Sequence, residues 1–260
     1  MQNLKLNSYP DSQTSELRSK LSQKLGISVD NILVGNGTTE LIRLIALAYF
    51  NKGDRVLIPK PTYGEYEIAS RIAGTEIVEF QWEWRENDLI KIKDLQDVIR
   101  NYCPKAVFLC NPNNPTGHYL SREEIEIVMS NLDDTLLILD EAYINFVDEA
   151  WSSIPLINRG NIIILRSMTK DYGLAGLRLG YAMAGEDVIN TLRLVCPPWN
   201  VNIAAQKAGI AALDSEEFLK QSKRKIRQAN QFLISELRRI GLDPLPTKTN
   251  FFLVKVACGN

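Results

Sequence analysis

Short apolar segments alternate with helical patterns along most of the chain, and this alternation restricts the fold more than any other feature. Segments such as 136–139 (LLIL) and 162–165 (IIIL) are short and uniformly apolar, which is typical of strands buried on both faces. Helical patterns separate several of these strands, so the alternation predicts an α/β fold with a mainly parallel sheet covered by helices. The predicted strands are 55–58, 76–80, 105–110, 136–139, 162–165 and 178–182, and the helices between and around them are 14–25, 37–50, 65–73, 95–102 and 122–131.

The pattern changes after about residue 194. Two helices are predicted at 203–213 and 216–240, followed by one strand at 251–256. The long second helix is typical of a connector, so we expect a large domain over residues 1–200 and the beginning of a smaller α+β domain over residues 201–260. A strand needs a partner or a covered edge on each side. Because little sequence follows the last strand, we expect the smaller domain to be incomplete.

The composition is that of an ordinary globular protein, with 45% hydrophobic and 23% charged residues. The formal net charge of -1 provides no overall field for nucleic acid or an anionic membrane. The basic run 220–227 is interpreted as the solvated face of a helix. No apolar stretch approaches the roughly 20 residues that span a bilayer, and the N-terminus lacks a signal-peptide core. We therefore expect a cytoplasmic protein without nucleic-acid or membrane partners.

The potential metal ligands are few and scattered. The four cysteines form no CxxC pair, and the one histidine, His118, cannot build a metal site or a catalytic triad alone. The sequence predicts reduced thiols and no metal centre.

Chemically capable side chains follow four predicted strands at the points where these strands end. In open α/β sheets, ligands bind outside the carboxyl ends of the strands. We therefore expect the four clusters to surround one crevice. They are 59–63 (PKPTY), 111–117 (NPNNPTG), 140–143 (DEAY) and 166–170 (RSMTK).

The segment 35–40 (GNGTTE) has features of a helix N-terminus that binds an anion. Two glycines permit a tight turn, and Thr38 and Thr39 then lie in the first helical turn, where free N–H groups and the helix dipole favour an anion. The segment is neither a GxGxxG fingerprint, since no strong strand leads into it, nor a P-loop. Taken alone, it is more often an ordinary helix N-terminus.

Each of these residues also has a purely structural interpretation. Asp140 after a strand is commonly a cap or turn residue. Lys170 could be a surface lysine, Arg178 a surface ion-pair partner, and 111–117 a turn-rich loop. These interpretations do not explain why all the residues occur together at the predicted strand ends.

Three motifs connect the chain to a known family. They are L-I-L-D-E-A-Y (137–143), N-P-N-N-P-T-G (111–117) and L-R-S-M-T-K-x-x-x-L-A-G-L-R-L-G-Y (165–181). Together they resemble the class I/II aminotransferases, which are fold type I enzymes dependent on pyridoxal 5′-phosphate (PLP). The resemblance extends from Tyr9 to Phe251, and S-M-T-K followed by G-L-R is its most specific part. It implies a three-layer α/β/α large domain.

The resemblance implies roles for individual residues. Lys170 resembles the lysine that forms a Schiff base with PLP and then carries a proton, for which it must be partly neutral. Asp140 resembles the carboxylate that pairs with the pyridinium nitrogen and so keeps the ring an electron sink. Asn114 and Tyr143 resemble the pair that hydrogen-bonds the phenolic oxygen, and Tyr63 the aromatic residue stacked on the ring. We expect Lys170, Asp140 and Tyr143 to be catalytic.

The resemblance also implies a phosphate cup and a dimer. Arginine suits such a cup because its planar fork makes paired, charge-assisted bonds to phosphate. Tyr9 resembles a residue that reaches the phosphate of the neighbouring subunit, which implies a homodimer with shared sites. The residues of the implied cup are Thr38, Thr39, Ser167, Thr169 and Arg178.

Two branches of the family are nearest, and they perform different reactions. The segments 35–42, 61–69 and 198–202 resemble L-threonine-O-3-phosphate decarboxylases more than most histidinol-phosphate aminotransferases. We therefore expect a PLP enzyme that decarboxylates a small, phosphorylated amino acid. The alternative is a histidinol-phosphate-type aminotransferase, because substrate-side contacts determine which bond to Cα breaks.

The sequence also departs from the family. Relatives usually carry a segment before Tyr-Pro-Asp and a longer small domain, with an arginine that clamps the substrate α-carboxylate. No arginine follows Arg239 here. Because lost positioning can reduce rates by orders of magnitude, we expect a chain truncated at both ends, a partner that supplies the rest, or a shortened homologue. Two further hypotheses are a non-catalytic PLP-binding remnant and a phosphate- or nucleotide-binding α/β domain of another class.

Overall fold

A seven-stranded sheet forms the centre of the molecule. The structure is a computed structural model that describes residues 4, 6–82 and 89–256, with residues 89–91 described by their backbone alone. Across the sheet the strand order is β1-β7-β6-β5-β4-β2-β3. In chain order the strands are β1 (Ile32–Gly35), β2 (Arg55–Lys60), β3 (Glu76–Gln81), β4 (Ala106–Cys110), β5 (Leu136–Asp140), β6 (Ile162–Ser167) and β7 (Gly180–Ala184).

One strand of this sheet runs in the opposite direction to the rest. The pairs β2–β3, β2–β4, β4–β5 and β5–β6 are parallel, whereas β7 is antiparallel to both of its neighbours, β6 and β1. The beginning of β7 therefore lies at the same edge of the sheet as the ends of the other strands.

Helices cover both faces of the sheet, which confirms the predicted α/β/α arrangement. The apolar core accordingly has two parts, one on each face, and the strands contribute alternate residues to each part. On one face lie α1 (Ser15–Leu25), α4 (Leu89–Tyr102), α5 (Arg122–Met129) and α7 (Ile203–Leu213), and on the other α2 (Gly37–Tyr49), α3 (Glu65–Ile72) and α6 (Glu186–Val195).

The central strands are buried on both faces, as their uniformly apolar sequences predict. Every residue of β4 and β5 is buried. Phe108 and Ile138, for example, are 1% and 0% exposed, and burial of such side chains contributes about 1.5–3 kcal/mol each. The polar exception is Asp140, the last residue of β5, which is only 2% exposed. A carboxylate at that depth requires specific partners.

The C-terminal part begins with a helix that packs on the large sheet unit. Helix α7 packs against α1, and Gln206 Nε2 donates to the Asp11 carbonyl over 2.9 Å. The long helix α8 (Glu216–Arg239) follows, and β8 (Asp243–Pro244) pairs antiparallel with β9 (Val254–Lys255). The predicted strand 251–256 is therefore limited to two residues. The domain boundary at residue 200 remains a prediction.

The structure differs from the sequence predictions at three further places. A strand does lead into the glycine turn, because β1 (Ile32–Gly35) ends directly before α2. The predicted strand 178–182 is displaced by two residues, since Arg178 adopts a left-handed conformation with φ 56° and β7 begins only at Gly180. Helix α6 (Glu186–Val195) was not predicted at all.

Candidate active site

A cavity of about 500 Å³ lies where the parallel strands end and α2 begins. It gathers every site residue predicted from the sequence except Tyr9, and it adds Tyr66, Cys110 and Ala142. The predicted residues that line it are Thr38, Thr39, Tyr63, Asn114, Asp140, Tyr143, Ser167, Thr169, Lys170 and Arg178. The four clusters and the glycine turn do surround one crevice, whereas the roles of the individual side chains remain predictions.

The strand register explains why these residues meet. Cys110 pairs with Asp140, and Asp140 with Leu165, so the ends of β4, β5 and β6 are level. Ser167 pairs with Gly180 in the antiparallel β6–β7 ladder. The connection between these two strands carries both Lys170 and Arg178 and therefore folds over the same edge.

The N-terminus of α2 forms one end of the cavity. Gly37 has φ 78°, and an added Cβ there would lie 2.9 Å from Arg178 Nη2. An added Cβ at Gly180 would lie 2.8 Å from the backbone nitrogen of Thr38. Both glycines therefore permit a close approach that a side chain would prevent. The first-turn N–H groups of a helix have no intrahelical partner and attract anions.

Hydroxyl groups and a guanidinium complete this end. Ser167 Oγ and Thr169 Oγ1 are 2.7 Å apart, and the Thr169 N–H donates to Ser167 Oγ over 3.2 Å. Arg178 Nη1 donates to the Ala175 carbonyl over 3.3 Å, which orients the guanidinium. Together with the α2 N-terminus, these groups provide donors and positive charge suited to a phosphate or a similar oxyanion.

A buried carboxylate forms the other end. Asp140 Oδ2 accepts a hydrogen bond from the Tyr66 hydroxyl over 2.8 Å, and Oδ1 accepts one from the Ala142 N–H over 3.0 Å. Burial raises the pKa of Asp140 to about 6, and the two hydrogen bonds oppose this rise because they stabilise the ionised form. Such a carboxylate has a strong tendency to pair with a cationic partner.

Lys170 also lines the cavity. Lys170 Nζ is 5.8 Å from the centre of the Tyr143 ring. Burial raises the pKa of the Tyr143 hydroxyl to about 12, and the neighbouring Cys110 and Asp140 add to the effect. Tyr143 therefore remains a neutral hydrogen-bond donor at physiological pH. The Phe251 ring contacts the Tyr143 ring edge-on, with centroids 4.9 Å apart.

The NPNNPTG segment is an ordered loop held by its own asparagines. Asn111 Oδ1 accepts from the Leu120 N–H over 2.7 Å. Asn113 Nδ2 donates to the Pro61 carbonyl over 2.9 Å, and Asn113 Oδ1 accepts from the Thr62 hydroxyl over 2.8 Å. These bonds tie the loop to the end of β2 and leave Asn114 on the cavity wall.

The C-terminal part also holds this loop. The Lys248 N–H donates to the Gly117 carbonyl over 2.9 Å. Gly117 has φ 72°, and an added Cβ would lie 2.0 Å from Thr247 Oγ1. The glycine is therefore required both for the turn and for the contact with Thr247.

An ion pair and a side-chain hydrogen bond involve the residues that directly follow Asp140 and Lys170. The Glu141 carboxylate lies 2.9 Å from the Arg166 guanidinium. Asn145 Nδ2 donates a short hydrogen bond to Asp171 Oδ2. Burial raises the pKa of Asp171 to about 6. These residues flank Asp140 and Lys170 in the sequence and restrict the backbone that carries them.

Tyr66 and Tyr9 are the two residues for which the structure differs most from the expectation. Tyr66 was not predicted, although it follows Tyr63 at the i+3 spacing that places two residues on one helix face. Tyr9 lies outside the cavity lining. Its ring stacks on Trp199 of the same chain, with centroids 4.4 Å apart, and 78% of Tyr9 is exposed.

The described residues contain free thiols, but they contain no candidate metal centre and no membrane-spanning helix. Within them, no group of three or more histidine, cysteine, aspartate or glutamate side chains could hold a metal ion. Cys103, Cys110 and Cys196 are free thiols, and Cys258 lies outside the described residues. No helix in the described ranges is both long and apolar enough to cross a bilayer.

An α/β/α arrangement with a mostly parallel seven-stranded sheet and a cavity at the carboxyl edge of that sheet is the fold of the fold type I α/β enzymes. The sequence profile of the family "Aminotransferase class I and II" matches residues 2–260. The chain therefore belongs to the class I and II aminotransferases, a family of enzymes.

The individual proteins to which the chain is similar include histidinol-phosphate aminotransferases and a decarboxylase. The chain is 41% identical over 252 residues to the histidinol-phosphate aminotransferase of Thermoanaerobacter pseudethanolicus, which covers 96% of this chain and 70% of that protein. The crystal structure of the histidinol-phosphate aminotransferase of Sinorhizobium meliloti in complex with pyridoxal-5′-phosphate is similar with a TM-score of 0.89 and 29% identity, covering 97% of this chain and 68% of that one. The L-threonine-O-3-phosphate decarboxylase of Porphyromonas gingivalis is similar with a TM-score of 0.85 and 30% identity, covering 98% and 79%.

Proposed function

We propose that this chain is a PLP-dependent aminotransferase that acts on a small phosphorylated amine of the histidinol phosphate type. One observation carries the proposal. A single cavity is lined by the buried Asp140 carboxylate, by the Lys170 amine, and by Arg178 with the hydroxyls of Thr38, Thr39, Ser167 and Thr169. A flat cofactor with a basic ring nitrogen, an aldehyde and a phosphate is complementary to these three groups.

The residues present fit that cofactor. The cup of Thr38, Thr39, Ser167, Thr169 and Arg178 would hold the phosphate, and Gly37 and Gly180 allow Arg178 and the Thr38 N–H to come close to these two glycines. Asp140 would hold the ring nitrogen. Lys170 would hold the aldehyde carbon, Asn114 and Tyr143 the phenolic oxygen, and Tyr63 one face of the ring.

The side chains that line the cavity would have different roles in the reaction. When bound, PLP supplies an aldehyde that condenses with amines and a ring that accepts electrons from Cα of the substrate. Asp140, as a buried anion, would keep a proton on the ring nitrogen. Lys170 would accept the proton released at Cα and return it at a neighbouring carbon, acting as general base and then general acid. Tyr143, neutral at physiological pH, would donate a hydrogen bond to the phenolic oxygen.

Transamination is favoured over the decarboxylation expected from the motifs. The support is that histidinol-phosphate aminotransferases are 33–41% identical to the chain, and that the solved one of Sinorhizobium meliloti has a TM-score of 0.89, compared with 0.85 for the decarboxylase. Decarboxylation of O-phosphothreonine remains the second candidate, because that decarboxylase matches 98% of the chain at a TM-score of 0.85.

We also propose a homodimer in which Tyr9 reaches the phosphate cup of the second subunit. Tyr9 is 78% exposed and stacks on Trp199, which is 46% exposed, so the Tyr9 side chain is accessible to another chain. A large domain over residues 1–200, a smaller one over 201–260 and a cytoplasmic location belong to the same proposal.

The test combines the visible spectrum with two substrates. The purified protein is incubated with PLP and then, separately, with histidinol phosphate and with O-phosphothreonine; a keto acid acceptor is added to the first mixture only after its spectrum has been recorded. We expect visible absorbance that is absent in Lys170→Ala and retained in Lys52→Ala, an exposed control. Histidinol phosphate should convert the bound cofactor to its amine form. Release of CO2 from O-phosphothreonine would instead select the decarboxylase, and no visible absorbance with PLP would refute both.

A further inference from the structure

Tyr66 is a fully buried tyrosine whose hydroxyl bonds to the carboxylate at the end of the cavity. It is 0% exposed, and its hydroxyl donates to Asp140 Oδ2 over 2.8 Å. The other carboxylate oxygen is held by the Ala142 N–H. Among the described residues, the carboxylate is thus held by one side-chain donor, Tyr66, and one backbone donor, Ala142.

The ring of Tyr66 is held as firmly as its hydroxyl. It stacks on Phe108, with centroids 4.8 Å apart and an interplanar angle of 12°. It also meets the Tyr63 ring edge-on, with centroids 5.6 Å apart and an angle of 85°. The Tyr63 hydroxyl in turn lies 3.3 Å from Thr39 Oγ1, in the anion cup. One buried side chain therefore connects three parts of the cavity.

We propose that Tyr66 is a positioning residue for the cofactor, whose phenol orients the Asp140 carboxylate while its ring orients Tyr63. The inference rests on the proposed function and deepens it. The Tyr66 hydroxyl is bonded to Asp140, so it would act on the cofactor through that carboxylate. Tyr66 acts through the two residues that would hold the ring nitrogen and the ring face.

The charge environment of Asp140 explains why this donor matters. Burial and the neighbouring Glu141 both disfavour the ionised carboxylate, and the Tyr66 hydrogen bond is the largest influence that favours it. Hydrogen bonds to charged groups in buried sites are stronger than neutral ones. The titratable groups that face Asp140 are Tyr66, Cys110, Glu141, Tyr143 and Lys170.

The test measures the dissociation constant of PLP in a double-mutant cycle. Tyr66→Phe keeps the ring and removes the phenol, and we expect it to weaken PLP binding by about 10- to 100-fold. In the Asp140→Asn background the same change should weaken binding by less than about threefold, because the two residues act together. In the Arg178→Ala background, at the other end of the cavity, the full effect should persist. Tyr102→Phe, a tyrosine on the far side of α4, serves as the control.

A role in packing alone predicts a different pattern. Equal losses in all backgrounds, or no loss in Tyr66→Phe, would overturn the inference while leaving the proposed function intact. Circular dichroism and thermal unfolding establish that each variant is folded. If Tyr66→Phe does not fold, Tyr66→Met, which fills the site with a flexible apolar side chain but also removes the ring, is measured in the same backgrounds, and the loss should again be smaller in Asp140→Asn than in Arg178→Ala. Failure of the unchanged protein to bind PLP would overturn both proposals.

Discussion

The Arg166 guanidinium lies 2.9 Å from the Glu141 carboxylate, in a position where the glutamate side chain is only 1% exposed. This pair joins the ends of β5 and β6 directly behind Asp140. Removal of one member of a buried pair leaves an uncompensated charge, which typically costs about 3–5 kcal/mol. We therefore expect Arg166→Met to lower the free energy of unfolding by about 3–5 kcal/mol in urea denaturation.

A surface pair provides the comparison. Arg122 and Glu126 are also within 2.8 Å, but Arg122 is 70% exposed, and exposed pairs contribute about 1 kcal/mol or less. Arg122→Met should therefore have little effect. Similar losses in the two variants would show that the buried pair has no special importance for stability.

The Asp140 carboxyl should make the stability of the PLP-free protein depend on pH. Burial raises its pKa to about 6 from 3.8. Between these two values the folded chain binds more protons at this position than the unfolded chain, so the contribution of Asp140 to stability falls as pH rises. Relative to the unchanged protein, Asp140→Asn should gain roughly 2–3 kcal/mol in free energy of unfolding between about pH 4 and pH 7.

Urea denaturation of both proteins at several pH values checks this. Asp171→Asn should show the same direction, since burial also raises the pKa of Asp171 to about 6. Stability curves that run parallel across this pH range would contradict the assigned burial effect.

The close approach of β7 to α2 should not tolerate a methyl group. A Cβ at Gly180 would lie 2.8 Å from the Thr38 nitrogen and 3.1 Å from the Arg166 carbonyl oxygen, and backbone atoms cannot move away cheaply. Gly180→Ala should therefore displace the α2 N-terminus and weaken PLP binding by more than about tenfold, equivalent to about 1.4 kcal/mol. Gly176→Ala is the matched control, because no atom lies within 4 Å of its added Cβ. Equal affinities of the two variants would mean that the α2 N-terminus does not hold the phosphate.

A ligand that lacks the phosphate shows whether Arg178 binds the phosphate or another part of the cofactor. Arg178→Ala should weaken binding of PLP by about 10- to 100-fold, the range for hydrogen bonds to a charged group. Pyridoxal, which has no phosphate, should bind both forms with similar affinity. Fluorescence titration measures both ligands, and Arg159→Ala serves as an exposed control. An equal loss for PLP and pyridoxal would place Arg178 outside the phosphate cup.

The sequence was sufficient for most of the cavity because its residues follow strands that are easily predicted. Asp140 and Asn114 come after the uniformly apolar strands β5 and β4, and parallel strands end at one edge of a sheet. The positions of Lys170 and Arg178 followed from the motif. The glycine turn could be placed at the same edge only after β1 was seen, since Ile32–Gly35 is too short to stand out from its surroundings.

Tyr66 could not be predicted because its importance depends on a tertiary contact. In the sequence, Tyr66 is one of several residues on the apolar face of a short helix. Its hydroxyl reaches Asp140 because α3 packs on the sheet. Trp199 is similar, since nothing local predicts that its ring supports Tyr9. The strand predicted at 251–256 is short in the structure because Thr247 and Thr249 hydroxyls bond the Phe251 carbonyl, which withdraws that group from a ladder.

The antiparallel ladder between β6 and β7 has a consequence for which molecules the cavity can hold. Ser167 and Gly180 are paired partners, so both ends of the connection that carries Lys170 and Arg178 are anchored in the sheet. The ladder thus fixes both ends of the backbone segment from which the Lys170 and Arg178 side chains extend. A phosphorylated aldehyde whose spacer matches the reach of both side chains is therefore favoured over longer or shorter ones, which makes molecular length a criterion of selection.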